Sequence, residues 1–256
     1  MSHGVTPRLA IVRVGDDPAS VAYQRQISRA FARHGLAASA ELLPASASQD
    51  EAAAHVNRLC ADPDVHGVLL QLPLPPGMRA DPLVDQIKLD LDVEGVHPYH
   101  AGLLALGRPT RVPSTPMAGL ELLRRSDVEL TGRLAVVVGR SPIVGRPLAS
   151  LLILASCTVV VCHTRTRDLG QLTRQADLLF VAAGRPGLVD GSMVRPGATV
   201  IDFGTSEVDG RLVGDVDYDS AVRVAGAITP VPGGTGPVTT ALLGRSLVAL
   251  AEDRLA

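Results

Sequence analysis

The chain has few cysteines, almost no net charge and no long apolar run, and each shortage argues against a class of protein. Its 256 residues hold 3 cysteines without a C-x-x-C pair, so we expect buried thiols in a reducing compartment, not a disulfide framework or structural zinc. A formal net charge of −2 gives no electrostatic case for nucleic acid or an anionic membrane as partner. No apolar segment is long enough to span a membrane, and the first residues lack a signal-peptide core, so we expect a cytoplasmic protein.

Strand and helix patterns alternate along the chain in two blocks. The first predicts strands at residues 9–14, 38–43 and 67–71 and helices at 19–34, 49–60 and 82–88, the second helix opening at a Ser48–Glu51 capping box. The second predicts a helix at 116–125, then strands at 136–138, 158–162, 178–182 and 199–202 with helices at 144–155 and 238–253. This order predicts an α/β protein of two domains, residues 1–117 with a C-terminal helix at about 238–256, and residues 118–237.

Residues 136–147, VVVGRSPIVGRP, join an apolar strand to a helix through a glycine turn. Gly139 lets the backbone turn without a Cβ, and Gly145 lets the helix lie close to the strand. The spacing is G-x-S-x-x-x-G, not the usual G-x-G-x-x-G, so the motif alone is also compatible with an ordinary tight turn. The strand at 158–162 completes a strand-helix-strand unit, which favours a nucleotide site.

The end of that second strand indicates which nucleotide is bound. A site for NAD usually has an acidic residue there for the ribose hydroxyls, but residues 163–166 are His, Thr, Arg and Thr. Together with Arg140, Thr164 and Arg165 offer a hydroxyl and guanidinium groups to a 2′-phosphate. We therefore predict NADP over NAD, the alternative being that the arginines only face water.

Four separate segments together resemble one family. They are residues 71–75 (QLPLP), 92–99 (DVEGVHPY), 138–147 (VGRSPIVGRP) and 229–239 (TPVPGGTGPVT). The chain resembles the methylenetetrahydrofolate dehydrogenase/cyclohydrolase family over almost its whole length. The resemblance implies an N-terminal folate-binding α/β domain and a C-terminal NAD(P)-binding Rossmann domain flanking a cleft, in a homodimer.

The resemblance also implies site residues. Tyr23, Gln71 and Glu94 match family positions at the pterin, and we predict them as catalytic and substrate-binding residues. Arg140 and Thr164 match positions that hold the 2′-phosphate, with Thr164 where serine is commoner. The predicted substrate-binding set also includes Pro232, Gly233 and Gly234, and the predicted cofactor-binding set is Gly139, Arg140, Ser141, Ile143, Thr164, Arg165 and Thr205.

Three departures from the family pattern matter. Ile27 stands where the family has a lysine, four residues after the tyrosine that matches Tyr23. Glu94 replaces the aspartate of the D-V-D-G motif and extends the carboxylate by about 1.5 Å. Family chains also have a longer leader with a helix before the first strand, and we expect a partner to cover the surface that this leader would bury, which favours a dimer.

The missing lysine divides the two family reactions. Hydride transfer from 5,10-methylenetetrahydrofolate needs no side chain to take a proton, because alignment of two rings suffices. Hydrolysis of the methenyl product needs an acid/base, which isoleucine cannot supply. Without the family comparison, Tyr23, Ile27 and Phe31 form an apolar helix stripe typical of core, and both interpretations make position 27 non-catalytic.

Other polar residues give weaker signals. His97 and His100 are predicted in a loop near Glu94, where histidines are more often solvated than functional. We expect His163 to cap its loop and Asp202 to bind neighbouring backbone amides near the cofactor, whereas Asp215 is as readily structural. No Ser-His-Asp or metal-ligand arrangement is evident, and we predict no metal.

The sequence therefore predicts an NADP-dependent methylenetetrahydrofolate dehydrogenase with weak or absent cyclohydrolase activity. A second hypothesis keeps both activities, with Glu94 or a loop histidine transferring the proton. A third is a folate-binding or partner protein that has lost catalysis, for which the altered folate-site residues argue and against which the retained nucleotide turn argues.

Overall fold

The computed structural model describes residues 5–255. Residues 1–4, part of the segment considered above for a signal peptide, and residue 256, the end of the predicted C-terminal segment, lie outside the described residues. The chain divides into two compact units. Unit 1 holds the residues up to Leu103, Pro109–Val112 and the residues from Thr240 onward, and unit 2 holds Leu104–Arg108 and Pro113–Thr239.

Strands and helices alternate through most of the described chain. The strands are β1 Arg8–Val14, β2 Ala37–Leu43, β3 Gly67–Leu70, β4 Leu134–Val138, β5 Thr158–Cys162, β6 Leu178–Val181, β7 Thr199–Asp202, β8 Ser206–Val208, β9 Arg211–Val213 and β10 Ala227–Ile228. The α-helices are α1 Pro18–Arg33, α2 Gln49–Ala61, α3 Asp81–Val84, α4 Pro98–Ala105, α5 Ser114–Arg125, α6 Gly145–Leu154, α7 Leu169–Thr173, α8 Tyr218–Ala221 and α9 Thr235–Asp253.

Unit 1 is built on a parallel sheet in the order β2-β1-β3. Leu9 and Ile11 of β1 point to one face and pack with apolar residues of α1 and α9. Ala10 and Val12 point to the other face and pack with α2. Because β1 is covered on both faces, it is a continuous apolar run instead of an alternating one.

Unit 2 is built on a parallel five-stranded sheet in the order β10-β7-β6-β4-β5. Val136 and Val138 of β4 belong to the core on one face, and Val137 belongs to the core on the other, where α5 and α6 pack. The carboxyl ends of β4, β5, β6 and β7 meet at one edge of the sheet. In such sheets that edge is where ligands bind.

The two-domain α/β fold class is confirmed, and the predicted strands lie within a few residues of the observed ones. The Ser48–Glu51 capping box is also confirmed. Three placements were wrong. The helix predicted at 82–88 is the shorter α3 and ends at Val84. His100 lies in α4 and is 6% exposed, so it is not a solvated loop residue, and α9 begins at Thr235, three residues before the predicted start. The antiparallel β8–β9 hairpin was not predicted.

The cysteines lie mostly in the interior of the described chain. Cys60 and Cys162 are buried, Cys157 is partly buried, and all three are free thiols. Burial raises the pKa of each thiol, as expected for inert packing residues. Within residues 5–255, no helix combines the length and apolar character needed to cross a membrane.

Candidate functional site

Helix α1 carries the first group of predicted site residues in unit 1. It begins after Asp17, whose carboxylate accepts from the N–H of Ser20 at 2.8 Å, the usual N-cap arrangement. Tyr23 is half-buried against the apolar cluster that contains Ile27 and Phe31. Ile27 is 0% exposed, so the position for which the resemblance predicts a lysine in relatives is part of the apolar core of unit 1.

Gln71 follows β3 and is tied to the same helix. Its Nε2 donates to the carbonyl oxygen of Ser20 at 2.5 Å, and Ser20 Oγ donates to the carbonyl oxygen of Leu72 at 3.2 Å. Gln71 is buried, and its Oε1 accepts no hydrogen bond from any residue that the structure describes. A buried unpaired carbonyl is costly and is often retained where it meets a ligand.

Glu94 lies close enough to Tyr23 to affect its ionisation. Burial, and then the charge of Glu94, raise the pKa of the Tyr23 hydroxyl well above its usual range. Tyr23 therefore keeps its proton at neutral pH and can donate a hydrogen bond. The structure thus brings two of the predicted unit 1 residues together and ties the third to the same helix.

The loop that carries Glu94 is held by two buried residues, Asp92 and His100, whose supporting role the sequence did not predict. Asp92 is 0% exposed, and its carboxylate accepts from the N–H groups of Val96 and His97 at 3.1 and 2.8 Å. His100 contacts Thr110 Oγ1 through Nδ1 at 2.9 Å and lies 4.0 Å from Asp92 through Nε2. The N–H donors are four and five residues after Asp92, beyond the two- or three-residue spacing of a cap or Asx turn, so no local motif revealed this role.

The glycine turn of unit 2 has the close backbone approach that the sequence predicts. Gly139 has φ +128°, and a Cβ there would lie 2.8 Å from the carbonyl carbon of Ala182. A Cβ on Gly145 would lie 2.6 Å from the carbonyl carbon of Gly139. Ser141 Oγ accepts from the N–H groups of Val144 and Gly145 at 3.1 and 3.5 Å, so it caps α6.

The turn after β5 closes on itself and leaves two predicted cofactor-binding side chains at the surface. His163 Nδ1 accepts from the N–H of Arg165 at 3.1 Å, and Thr166 Oγ1 accepts from the N–H of His163 at 2.8 Å. His163 therefore caps its loop, as predicted. Thr164 and Arg165 are exposed, as are Arg140 and Ile143 of the neighbouring glycine turn.

Gly139 is joined to the end of β5 directly. Its N–H donates to the carbonyl oxygen of Cys162 at 2.9 Å, and Val138 pairs with Cys162 in the sheet. The two turns are consequently neighbours at the carboxyl edge. Basic and hydroxyl side chains from both turns, with the N-terminus of α6, form a surface suited to phosphate groups.

Two buried aspartates lie at the same edge of the sheet. Asp202, at the end of β7, accepts from the N–H groups of Gly204, Asp215 and Val216, which confirms the predicted role for Asp202. Burial raises the pKa of Asp202 to about 6 against the effect of these three hydrogen bonds. Thr205 follows Gly204 and is exposed.

The segment PVPGG leads into α9. Pro232 and Gly233 are exposed, and Gly234 donates its N–H to the carbonyl oxygen of Pro230 at 2.9 Å. Thr235 Oγ1 donates to the carbonyl oxygen of Asp202 at 3.3 Å. This segment is therefore fixed to the same edge of the unit 2 sheet. In residues 5–255 no group of three or more His, Cys, Asp or Glu side chains could hold a metal ion.

The fold defines a class of protein, and comparison with family models then identifies the family. A parallel sheet with a glycine turn before a helix is typical of dinucleotide-binding α/β proteins, and residues 113–255 match the model described as tetrahydrofolate dehydrogenase/cyclohydrolase, NAD(P)-binding domain. Residues 1–94 match the catalytic-domain model of the same family. The chain belongs to the tetrahydrofolate dehydrogenase/cyclohydrolase family. The predicted resemblance and a nicotinamide dinucleotide cofactor are thereby confirmed.

Individual relatives are similar along nearly the whole chain. The bifunctional protein FolD of Chloroflexus aurantiacus is 52% identical over 250 residues, covering 97% of this chain and 88% of its own length. The FolD of Roseiflexus sp. strain RS-1 is 48% identical over 256 residues, covering 100% of this chain and 89% of its own.

Solved structures agree with these sequence relatives. A bifunctional FolD from Campylobacter jejuni has a TM-score of 0.94 at 41% identity, covering 99% of this chain and 90% of its own. A Trypanosoma brucei methylenetetrahydrofolate dehydrogenase-cyclohydrolase, solved with NADP cofactor and inhibitor, has a TM-score of 0.94 at 38% identity, covering 98% and 89%.

Proposed function

We propose that this chain oxidises 5,10-methylenetetrahydrofolate to 5,10-methenyltetrahydrofolate with NADP, and that its cyclohydrolase activity is weak or absent. The observation that carries the proposal is the complete burial of Ile27 in an apolar cluster. Hydride transfer can proceed without a titratable group at this position, whereas hydrolysis of the methenyl product depends on proton transfer.

The residues of unit 1 fit a pterin. Gln71 Oε1 is a buried acceptor that no residue between 5 and 255 pairs with, and it is suited to an N–H group of the ring system. Glu94 supplies a carboxylate, and Tyr23 supplies a donor hydroxyl on a ring that can pack against the pterin. When the C–H bond of the one-carbon bridge breaks, the hydride leaves with its electron pair, and the bridge nitrogens share the resulting positive charge. The carboxylate of Glu94 stabilises that charge.

The residues of unit 2 fit NADP, which supplies the hydride acceptor when bound. The backbone space at Gly139 and Gly145, which a Cβ would fill, allows close approach of a pyrophosphate. Arg140, Thr164 and Arg165 would hold the 2′-phosphate. They carry two positive charges and one hydroxyl at the surface, and no carboxylate replaces them at the end of β5.

The side chains around Glu94 offer poor substitutes for the missing lysine. The raised pKa of Tyr23 keeps its hydroxyl protonated, so it cannot act as a base near neutral pH. His100 is buried, with both ring nitrogens near polar partners. The histidine is thus used to hold the loop, which weakens its candidacy for proton transfer.

A second candidate is the bifunctional activity. It is favoured by relatives that are named bifunctional and are 52% and 48% identical to this chain. In that case Glu94 would transfer the proton, since its carboxylate lies close enough to Tyr23 for its charge to raise the pKa of that hydroxyl. A folate-binding protein without catalysis is less favoured, because the glycine turn keeps the geometry for a cofactor.

One assay separates the three candidates. Purified protein is given methylenetetrahydrofolate and NADP, and the absorbances of NADPH and of the methenyl product are followed together. We expect NADPH and the methenyl product to appear in equal amounts, and the methenyl product to decay no faster than in buffer alone. Decay of the methenyl product well above the buffer rate would support the bifunctional candidate. If no NADPH forms, the folate-binding protein without catalysis is the candidate that remains.

We also propose a cytoplasmic homodimer. Leu106, Ile153 and Leu154 are exposed in unit 2 and border a surface cavity of about 270 Å³. Val161 is exposed on β5, which lies at one edge of the five-stranded sheet. An apolar surface beside a sheet edge favours association. Light scattering at micromolar concentration should report twice the mass of the chain, and a monomer would contradict the proposal.

A further inference from the structure

Asp215 is a buried acid that the proposed chemistry does not use. It is 0% exposed, and its Oδ2 accepts from the N–H groups of Ala183 and Gly184 at 2.6 and 2.8 Å. Its Oδ1 is also buried and accepts no hydrogen bond from the residues that the structure describes. Ala183 and Gly184 themselves are exposed, so a buried carboxylate holds a surface turn from beneath.

A second buried acid holds Asp215 in turn. Asp202 Oδ1 accepts from the N–H of Asp215 at 3.1 Å and from that of Gly204 at 2.7 Å, and Asp202 Oδ2 accepts from Val216 at 2.9 Å. The two carboxylates thus connect the ends of β6 and β7 and the segment that follows β9. All five of these hydrogen bonds use backbone N–H groups, so each carboxylate fixes the course of the main chain.

The chain leaves room for these carboxylates. A Cβ on Gly204 would lie 2.6 Å from Asp215 Oδ1, and a Cβ on Gly214 would lie 2.8 Å from Asp202 Cγ. Any side chain at either position would displace a carboxylate. The glycines and the aspartates therefore form one packing unit, separate from the glycine turn at Gly139.

Such a pair lowers the stability of the fold. Burying carboxylates without cationic partners is unfavourable, and well-packed apolar residues of similar size would often be more stable. Groups retained despite such a penalty cluster at functional sites. The turn that Asp215 holds lies against the glycine turn at Gly139. The carbonyl group of Ala182 is so close to Gly139 that a Cβ there would overlap it.

We propose that Asp215, held by Asp202, is a positioning residue for the nicotinamide cofactor. It fixes the turn of residues 182–184 in the form that leaves the Gly139 turn open to the dinucleotide. The proposal rests on the proposed use of NADP. It assigns Asp215 to the backbone around the cofactor and not to the 2′-phosphate, so NADP and NAD should depend on it equally.

The first test replaces the carboxylate with an isosteric amide. In Asp215→Asn, the amide oxygen can take the place of Oδ2 toward both N–H groups but without the carboxylate charge, and the amide N–H₂ group must be buried in the place of Oδ1. We expect the Kd values for NADP and NAD both to rise at least about tenfold, with an unchanged NADP/NAD ratio, and the affinity for a folate analogue to stay at the wild-type value. Asp217→Asn is the matched control, since its side chain is exposed two residues further on, and it should leave all three values unchanged.

A wild-type NADP affinity in folded Asp215→Asn overturns the proposal, as does a change in the NADP/NAD ratio. A second measurement needs neither the variant to fold nor the cofactor to bind. Amide hydrogen exchange of the wild-type chain without cofactor should show Ala183 and Gly184 protected at least about tenfold relative to Arg185, an exposed residue of the same loop whose N–H donates to none of the described residues. Fast exchange at both amides overturns the proposal, whereas protection in a chain that binds no dinucleotide would overturn only the proposed function.

Discussion

The candidate site of unit 1 is formed mainly by side chains, and the candidate site of unit 2 is formed mainly by the main chain. In unit 1 the site depends on individual side chains, namely Tyr23 and Glu94 with a raised Tyr23 pKa, and Gln71 with its unpaired oxygen. In unit 2 it depends on the main chain, through the glycine turn and the backbone N–H groups that Ser141, Asp202 and Asp215 accept from. A side-chain site can lose one activity through one substitution, which is what we propose for position 27. A main-chain site tolerates side-chain changes but not a misplaced Cβ.

The strongest test of the difference between the two sites is Ile27→Lys, which places a cation in the side-chain site of unit 1. We expect methenyl hydrolysis to accelerate by about 10²-fold or more, because an amine there can transfer protons. The same change should lower the free energy of unfolding by about 4 kcal/mol, because the side chain enters an apolar cluster and must lose its charge or disturb the packing. The two-absorbance assay and urea unfolding measure these effects.

Ile27→Met is the matched control for that experiment. It keeps the volume and the apolar character, so it should change the free energy of unfolding by less than about 1.5 kcal/mol and leave hydrolysis at the buffer rate. A folded Ile27→Lys protein that hydrolyses no faster than this control would mean that position 27 does not limit the reaction.

Unit 2 should respond to pH through Asp202. Its folded-state pKa of about 6 lies above its ordinary value of 3.8, so its contribution to stability is fully present below about pH 3.8 and is lost as the pH rises through 6. The shift corresponds to about 3 kcal/mol. We expect the free energy of unfolding of the wild type, minus that of Asp202→Asn, to fall by up to this amount between pH 4 and pH 7.

Asp217→Asn again serves as the comparison, because its side chain is exposed. The corresponding difference for this variant should stay flat over the same pH range. A flat difference for Asp202→Asn as well would show that Asp202 titrates as an ordinary surface carboxylate.

A single methyl group should disable the main-chain site. Gly139→Ala places a Cβ against the Ala182 carbonyl at a φ of +128°, so the turn must move. We expect NADP and NAD affinities to fall together by about 100-fold, or about 2.7 kcal/mol. Gly187→Ala controls for the strain of a Cβ at positive φ, because Gly187 has a φ of +61°. A Cβ there would meet no atom of the described residues within 4 Å, so the variant adds no steric overlap. It should keep its cofactor affinity, and calorimetric titration measures both.

The smallest expected effect concerns the side chains of unit 2. Arg140→Ala should lower kcat/KM for NADP by at least about tenfold, or about 1.4 kcal/mol, and leave NAD nearly unchanged, because only NADP has the 2′-phosphate. Arg146→Ala, which removes an exposed arginine of α6, should affect neither cofactor. Equal losses for both cofactors in Arg140→Ala would show that Arg140 does not read the 2′-phosphate.

Local patterns predicted most of the fold. Apolar runs and caps gave the strands from β1 to β7 and the longer helices, because buried parallel strands and capped helices have strong local signals. Helix α4 was missed because its eight residues, PYHAGLLA, show almost no helical periodicity of apolar side chains. The β8–β9 hairpin had a readable signal in Asp209-Gly210, both of which adopt positive φ, as two-residue hairpin turns require.

The candidate site was predictable where a motif is contiguous and unpredictable where it is not. The turn at Gly139 and the amide-binding role of Asp202 were visible from the end of an apolar strand. The partnership of Asp202 with Asp215 was not, because it joins residues 13 apart across a hairpin. The role of His100 was hidden for the same reason, since its contacts with Leu89 and Thr110 depend on folding.

The close fit of Gly214 against Asp202 restricts how this chain can evolve. The three atoms nearest to a Cβ at position 214 all belong to side chains, those of Asp202 and Val231. A substitution at Gly214 should therefore be tolerated only together with shorter side chains at positions 202 and 231. Because shortening Asp202 also removes the acceptor for three backbone N–H groups, either order of mutations passes through an impaired protein. Position 204 has no such route, because a Cβ there also meets the backbone N of Asp215. The two glycines should consequently differ in epistasis, one conditionally replaceable and the other fixed.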